Sequence, residues 1–529
     1  MKKILVSDKL ADDGINYLNE QSGIQVHIQT GLSEDELCGI IGDYDALLIR
    51  SDTKVTKKVL QAATNLKVVG RAGIGVDNVD IPAATEQGII VMNTPDANAT
   101  TTAELAIAHM FSLSRNLPEA SQSVRAGKWE RSQLVGAEIN HKTFAILGFG
   151  TIGRLAAKRA VGLGMRVIAY DPFVTPEIFE ECGAQSVDLE TLVKEADYLT
   201  LHCPMIEKTR GIIGAEQLKM MKKTAMLINC ARGGLVDEAA LYDALKQGEI
   251  AKAALDVYEI EPPKDSPLFE LDNITFTPHL GASTREAQVA VSVEIAIQAV
   301  TYLKTGEAIN ALNLSTKISA EELKKSRQFM MLAKVMGKLL VNLAGKPIEK
   351  LEVSLFGTAA EVEVRPITIE ALVGVLEDQF STPVNSVNAG NIAKKQGVSL
   401  VESRSEETQG YLSLVKLVGH CCEGKTVSVA GTLLGDHHPR IVNMNQFEIE
   451  VVPEGTLLIT EHNDKPGVIS AISAVLGESN INISRMQVGV PDSNDKAMAV
   501  ISVSSPLSDA LLQKVKDLSF VNAAVLINL

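Results

Sequence analysis

Three residues of unlike chemistry sit in short, distinctive settings in the second half of the first 300 residues: Arg232 in NCARGG, Glu261 in DVYEIEPP and His279 in TPHLGA. An imidazole titrates near working pH and can move a proton in either direction. A carboxylate on its second ring nitrogen fixes the tautomer and favours the imidazolium. A guanidinium holds a substrate carboxylate and polarises a neighbouring carbonyl through charge-assisted bonds. Each also suits a quieter part when taken alone: Arg232 as a helix cap, Glu261 as a surface acid before a polyproline turn, His279 as a partner for a backbone carbonyl. Taken together they point to an acid-base centre acting on an anionic substrate.

The residue type that would bring such groups to one place is a parallel-sheet scaffold, and a glycine loop marks it. GFGTIG (Gly148, Gly150, Gly153) follows the apolar run TFAIL and opens the helical stretch RLAAKRAVGLG. That context suits a dinucleotide pyrophosphate lying on a helix N-terminus, with the glycines allowing a tight turn and close backbone approach. The next run, MRVIAYDP, ends in Asp171, whose carboxylate can accept the ribose hydroxyls. A 2′-phosphate would face that carboxylate with no arginine in Pro172-Phe173 to replace it, so NAD is expected over NADP. Arg232, Glu261 and His279 each follow a later apolar run, at the strand ends where ligands collect in open α/β sheets. Beside a nicotinamide, they suit hydride chemistry on a hydroxy acid, with His279 as base or acid.

The wider pattern is α/β. Runs KILVSD, IQVHIQ, DALLIRS, LKVVGRAG and GIIVMNTP alternate with helical stretches over the first hundred residues. The long helix TTAELAIAHMFSLSRN follows, opened by threonines suited to capping. A second series, TFAILGFG to NITFTPHLG, repeats the alternation, so one such unit is inserted in another. REAQVAVSVEIAIQAVTYLKTG reads as a helix returning the chain to the opening domain. From about Ser315 an amphipathic helix and a strand-rich stretch lead to about Val452. Gly455 to Leu529 reads as βαββαβ, the split-βαβ plan.

Composition sets bounds. The 529 residues exceed one core, and 46% apolar with 22% charged residues is ordinary for a globular protein. A net charge of -15 argues against a general binder of nucleic acid or anionic membrane. The opening MKKILVSDKLADDG reads as a first strand and not as a secretory signal, which makes the cytoplasm the expected address. Six cysteines lie without a CxxC pair, and His420-Cys421-Cys422 lacks zinc-like spacing, so reduced thiols and no metal are expected.

GFGTIG, YDP, NCARGGLVDEAAL, ALDVYEIEPP and TPHLGAST together resemble the D-2-hydroxyacid dehydrogenase family. With the C-terminal extension, the whole chain resembles its long-form phosphoglycerate dehydrogenases. The resemblance implies a substrate-binding domain (1-98 and 285-314), an NAD-binding Rossmann domain (99-284), an intervening domain like the family's allosteric substrate-binding domain (315-452) and an ACT regulatory domain (453-529). It implies Arg232, Glu261 and His279 as the catalytic set. Cofactor contacts are implied at Gly148, Gly150, Thr151, Ile152, Gly153, Asp171, Cys203, Cys230, Ala231, Arg232, Asp256, His279, Gly281 and Ala282. Ile74 stands where some relatives carry threonine near the cofactor. Arg50, Ser51, Arg71 and Gly75 match substrate-facing segments, Asn98 approaches the substrate, and Arg131 in KWERSQ adds a third cation for a phosphate; Arg131 is also readable as a solvated surface charge, whereas Arg50 at the end of an apolar strand is harder to leave unpaired. His462, Asp464 and Asn482 match amino-acid effector contacts, implying feedback by L-serine. Lys394, Lys395, His437, His438 and Arg440 suit either an anion site or solvated charge. The implied reaction is oxidation of 3-phospho-D-glycerate (3-phosphoglycerate) to 3-phosphohydroxypyruvate, entering serine synthesis, by a homotetramer or dimer. The same residues leave open a glyoxylate, hydroxypyruvate, 2-oxoglutarate or D-lactate-like acid as substrate, or an NAD-sensing regulator.

Overall fold

The computed structural model describes residues 1–95, 97–314, 320–380, 383–435, 437–491 and 495–529. The opening region forms β1 (Lys2–Val6), α1 (Asp12–Asn19), β2 (Ile24–Ile28), α2 (Glu34–Ile40), β3 (Ala46–Ile49), α3 (Lys57–Ala62), β4 (Val68–Arg71), α4 (Ile81–Glu86) and β5 (Ile90–Asn93). Its strands make a sheet ordered β2-β1-β3-β4-β5. Helices α5 (Ala99–Arg115) and α6 (Leu117–Arg125) follow. The threonines at the start of α5 do not cap it: Asn98 is the cap residue and makes no side-chain cap bond. The Thr101 and Thr102 hydroxyls each lie 3.0 Å from the Gly281 carbonyl oxygen, a tertiary contact that local spacing does not disclose, and each also reaches the Asn98 carbonyl (2.9 and 3.2 Å).

The second series forms β6 (Thr143–Leu147), α7 (Thr151–Gly162), β7 (Arg166–Tyr170), α8 (Pro176–Glu181), β8 (Ala184–Ser186), α9 (Leu189–Glu195), β9 (Tyr198–Leu201), α10 (Ala215–Met220), β10 (Met226–Asn229), α11 (Glu238–Gln247), β11 (Lys252–Leu255) and β12 (Ile274–Phe276). Their seven strands lie in the order β12-β11-β10-β9-β6-β7-β8. Strands β6, β9 and β10 are buried on both faces, as a parallel sheet covered by helices requires. Register aligns the last residues: Leu147 pairs with Tyr170 and Leu201, Asn229 with Leu201 and Leu255, and Leu255 with Phe276. The next residue of each strand therefore falls on one rim, and those residues are Gly148, Asp171, His202, Cys230, Asp256 and Thr277. The strand order reverses between β6 and β9, the switch point where ligands bind in such sheets.

Helix α12 (Arg285–Thr305) returns to α1, where the Ser292 hydroxyl accepts from the Ala11 amide at 3.0 Å. A β-carbon at Gly14 would sit 2.7 Å from the Ser292 carbonyl oxygen, so the two helices cross at a glycine. The expected domain boundary at 314/315 abuts residues 315–319, which lie outside the described residues.

The rest of the chain comprises α13 (Ala320–Ala344), β13 (Ile348–Gly357), α14 (Val364–Leu376), α15 (Ala389–Lys395), β14 (Ser399–Ser405), β15 (Ser413–Cys421), β16 (Thr426–Leu434), β17 (His438–Met444) and β18 (Phe447–Val451). These strands form a six-stranded sheet, β14-β13-β15-β16-β17-β18. Helices α13 and α14 cross closely: a β-carbon at Gly374 would lie 1.9 Å from the Lys334 carbonyl oxygen, and one at Gly337 2.1 Å from that of Ala371. The final segment is β19 (Thr456–Asn463), α16 (Val468–Glu478), β20 (Ile483–Gly489), β21 (Lys496–Val503), α17 (Asp509–Lys516) and β22 (Val521–Asn528), with strand order β20-β21-β19-β22. This is the expected βαββαβ plan.

By packing, the chain divides into two compact units, one of Met1–Lys54, Val69–Asn78 and Met92–Asn310, the other of Val55–Val68, Val79–Val91 and Ala311–Leu529. Among the described residues, no helix is long and apolar enough to cross a membrane.

Candidate active site

The turn after β10 is built by Asn229, whose side chain accepts from the Ala231 amide (3.0 Å) and donates to the Arg232 carbonyl (2.9 Å). This bracket projects Cys230, Ala231 and Arg232 from the sheet rim. Gly233 is obligatory, because a β-carbon there would lie 1.8 Å from the Tyr258 carbonyl oxygen. The Arg232 guanidinium donates to the Ala231 carbonyl (2.7 Å) and sits 3.4 Å from the Asp77 carboxylate through Nε. Gly75 leaves room for it, since a β-carbon there would come within 2.2 Å of Nη2.

Asp256, fully buried after β11, organises the loop after β12. Its carboxylate accepts from the Thr277 hydroxyl (2.6 Å) and the amides of Leu280 (2.7 Å) and Gly281 (2.9 Å), and its carbonyl from the His279 amide (2.9 Å). His279 is thereby held at φ 55°, a left-handed conformation costing a non-glycine residue about 1–2 kcal/mol. The bend directs Nδ1 onto the Glu261 carboxylate at 2.7 Å and leaves Nε2 as the nitrogen for the cavity. The other Glu261 oxygen accepts from the Tyr258 amide at 3.1 Å. The hydrogen bond that His279 donates to Glu261 raises the His279 pKa above its ordinary 6.5 against the opposing effect of burial. Burial works to raise Glu261, yet the hydrogen bond and charge of His279, the Tyr258 amide and Arg232 hold it below its usual value.

In the glycine loop, Gly148 has φ 94° and no room for a side chain, as a β-carbon would meet the Cys203 amide nitrogen at 2.6 Å. At Gly153 a β-carbon would lie 2.3 Å from the Gly148 carbonyl oxygen, so this glycine lets α7 pack on the strand. Gly150 caps α7 and faces open space. The Asp171 oxygens accept from the Phe149 (2.8 Å) and Phe173 (3.0 Å) amides. A carboxylate has about four acceptor positions, so two remain for ribose hydroxyls. Loop, open helix terminus and carboxylate fit an NAD: Gly148, Gly150, Thr151 and Ile152 would hold the pyrophosphate, and Asp171 the adenosine ribose.

A cavity of about 420 Å³ lies at this rim. Arg71, Ile74, Gly75, Asn98, Ile152, Cys203, Cys230, Ala231, Arg232, His279, Gly281 and Ala282 all line it, and so do Asp77, Thr102 and His202, which the sequence reading passed over. Burial pushes the Cys203 thiol up to about 11 and raises Cys230 well above its usual range, so both are protonated walls. Burial lowers His202 to about 4, which makes it neutral. Its place one residue past β9 was the available signal; Asp77 gave none beyond lying in GVDN after Arg71.

Arg71 has a sealed Nε without a partner among the described residues, and its pKa is lowered to about 10, through burial first and then the charges of Arg232 and Arg50. The Arg71 guanidinium thus feels the charges of two others. Arg50 does not line the cavity; its amide donates to the buried Asp8 carboxylate at 2.6 Å. Neither Ser51, whose hydroxyl is 3.3 Å from Asp52, nor the exposed Arg131 lines it.

In the final segment, His462 is buried at the end of β19, 3.5 Å from the Thr460 hydroxyl, and burial lowers its pKa. Asp464 and Asn482 are exposed, and Gly467 (φ 90°) starts α16 between them. Elsewhere, Lys395 pairs with Glu86 (2.8 Å) and Arg440 with Glu450 (3.5 Å). Lys394, His437 and His438 are surface or partly exposed positions. Among the described residues, no three His, Cys, Asp or Glu side chains converge to hold a metal ion.

Comparison with known proteins gives three family matches along the chain. Residues 107–281 match the D-isomer specific 2-hydroxyacid dehydrogenase NAD binding domain, 325–445 the D-3-phosphoglycerate dehydrogenase intervening domain, and 455–520 the ACT domain. D-3-phosphoglycerate dehydrogenase of Methanocaldococcus jannaschii is 41% identical over 100% of both chains, and that of Bacillus subtilis 38% identical over 100% of both. Among solved structures, the apo D-lactate dehydrogenase of Escherichia coli (TM-score 0.52, 30% identity) covers 59% of this chain and 100% of its own. The NAD-complexed D-isomer specific 2-hydroxyacid dehydrogenase of Lactobacillus delbrueckii ssp. bulgaricus (TM-score 0.50, 27% identity) also covers 59% of this chain and 100% of its own. These two solved structures share only part of the chain, whereas the likeness to the D-3-phosphoglycerate dehydrogenases runs from end to end: the chain belongs to the D-3-phosphoglycerate dehydrogenase family.

Proposed function

We propose that this chain oxidises 3-phospho-D-glycerate to 3-phosphohydroxypyruvate with NAD, the entry to L-serine synthesis. The observation that carries the reading is the His279–Glu261 pair at 2.7 Å, with His279 and Arg232 lining one cavity behind the glycine loop. NAD supplies the hydride acceptor when bound. Arg232 holds the substrate carboxylate and draws electron density from the forming carbonyl. His279 Nε2 takes the hydroxyl proton, an effect worth about 10²–10⁴ in rate, and Glu261 offsets the imidazolium charge that results. In the reverse direction the same nitrogen returns the proton.

For the phosphate, Arg71 is the best-supported ligand: a buried guanidinium with an unpartnered nitrogen gains most from a dianion. Gly75 lines the cavity beside it; Arg50, whose charge acts on Arg71, and Ser51 belong to the substrate side in this reading although neither lines the cavity. Arg131 belongs to this set only if a second copy or a loop movement brings it in, and the exposed Trp129 (83%) and Val135 (79%) beside it suit burial against another copy. The reading includes a dimer or tetramer, a cytoplasmic address, and domains divided at 98/99, 284/285, 314/315 and 452/453. It also includes L-serine as an effector held by His462, Asp464 and Asn482, which would slow turnover only by binding active and inactive states unequally.

NAD reduction measured with 3-phosphoglycerate, D-lactate, D-glycerate and 2-hydroxyglutarate, with and without millimolar L-serine, tests the substrate and the effector. Preference for the phosphorylated acid is expected. Equal or better turnover of an unphosphorylated acid would overturn the substrate assignment, and serine that neither binds nor slows turnover would remove the effector.

A further inference from the structure

The loop carrying His279 is gripped by helix α5 at two points, and one of the gripping residues is itself a histidine. His109 is buried on α5, with Nε2 3.1 Å from the Thr277 hydroxyl. That hydroxyl is 2.6 Å from the Asp256 carboxylate, which can only accept, so the single Thr277 proton is committed to Asp256. Thr277 must then accept from His109, which fixes the proton on Nε2. Burial lowers the pKa of His109, in keeping with a neutral ring.

Seven residues earlier on the same helix, the Thr102 hydroxyl is shared between the Gly281 carbonyl (3.0 Å) and the more distant Asn98 carbonyl (3.2 Å), and two turns of helix bring 102 and 109 to one face. His279 thus lies in a bridge pinned at Thr277 and Gly281 by α5 and drawn down between them by Asp256. We propose that His109 and Thr277, neither of which lines the cavity, are positioning residues that hold His279 in its left-handed conformation through Asp256. The chain His109 N–H to Thr277 O–H to Asp256 carboxylate keeps the carboxylate oxygen aimed at the Leu280 amide. This rests on the proposed role of His279 as proton carrier.

The test uses the full-length protein with His109→Leu and His109→Gln. Steady-state kinetics are run alongside titration of His279 by NMR of ¹³C-labelled histidine, assigned with a His279→Asn variant. The charged groups facing His279 are Glu261, Asp256 and Arg232, and none is altered. His109→Leu is expected to lower kcat about five- to tenfold, the worth of one buried hydrogen bond. The KM for NAD should change less than about twofold, and the His279 midpoint should move toward the ordinary imidazole value as its alignment with Glu261 loosens. His109→Gln, which retains an N–H for Thr277, should restore both. A native kcat and midpoint in His109→Leu overturns the proposal, as does failure of His109→Gln to restore either. Should His109→Leu not fold, Thr277→Val cuts the same link, and unchanged kcat and midpoint there overturn it equally. A shifted midpoint with native kcat upholds the positioning and refutes His279 as proton carrier.

Discussion

Replacing Arg71 with glutamine separates the needs of the fold from those of the substrate. The pKa of this guanidinium drops well below its ordinary value, to about 10, so the folded state holds the charged form less well than the unfolded chain does. At about 1.4 kcal/mol per unit, that gap is on the order of 3 kcal/mol against folding at neutral pH. The penalty is present below pH 10 and is relieved as pH rises from there toward the ordinary guanidinium value, because over that range the unfolded chain binds the extra proton. Arg71→Gln removes the charge at every pH. Allowing for the packing the shorter side chain gives up, a gain of about 2 kcal/mol remains, or roughly 4–8 °C in Tm for a domain of this size. Substrate binding should suffer in the opposite sense. Losing a two-pronged charge-assisted contact to phosphate costs about 3–4 kcal/mol, a rise of about 10²–10³ in KM for 3-phosphoglycerate. The KM for NAD should move less than about twofold. Thermal unfolding with and without 3-phosphoglycerate, beside steady-state kinetics, reads both quantities. A variant that melts lower than the native protein, or that keeps the native KM, refutes the argument that this buried cation is maintained for its ligand.

Glu261→Gln removes the carboxylate that raises the His279 pKa. Oxidation needs the neutral ring, so kcat/KM in that direction rises with pH through the His279 pKa; in the variant the midpoint should fall and kcat drop about tenfold or more, and a pH profile of native midpoint would contradict the pairing. Asp171→Ala should narrow the preference for NAD over NADP by about tenfold or more through loss of a carboxylate facing the 2′ position; comparing kcat/KM for the two cofactors checks it, and an unchanged ratio counts against the assignment. Gly374→Ala forces a β-carbon within 1.9 Å of the Lys334 carbonyl oxygen and should destabilise by about 1–3 kcal/mol or more, seen in denaturant unfolding, while kcat stays within about twofold.

The parallel-sheet pattern was legible because doubly buried strands such as TFAIL and MLIN are continuous apolar runs bounded by turn residues. Strand β8 was not, being three residues (AQS) of which two are exposed. Arg232, Glu261 and His279 could be singled out because each follows a strand and carries reactive chemistry. The groups that aim them were silent. Asn229 looks like the end of a strand and Thr102 like a helix cap, while Asp256 is named only through the family resemblance, as a cofactor contact and not as the anchor of the His279 loop. Their roles depend on partners up to 179 residues away, which local periodicity does not encode. The phosphate side was half legible: the type and spacing of Arg50, Arg71 and Arg131 are visible in the chain, but burial separates Arg71 from the exposed Arg131.

The crossing of α1 and α12 has a consequence for how the polypeptide acquires its shape. Ala11 and Ser292 are 281 positions apart. At a ribosomal pace of about 5–20 residues per second, the amino-terminal sheet waits on the order of 15–60 s for the helix that seals it. The glycine-loop sheet, whose strands all arrive within that interval, can close first. Nascent chains halted before residue 285 should therefore resist protease over 143–276 while the first helix is still cut.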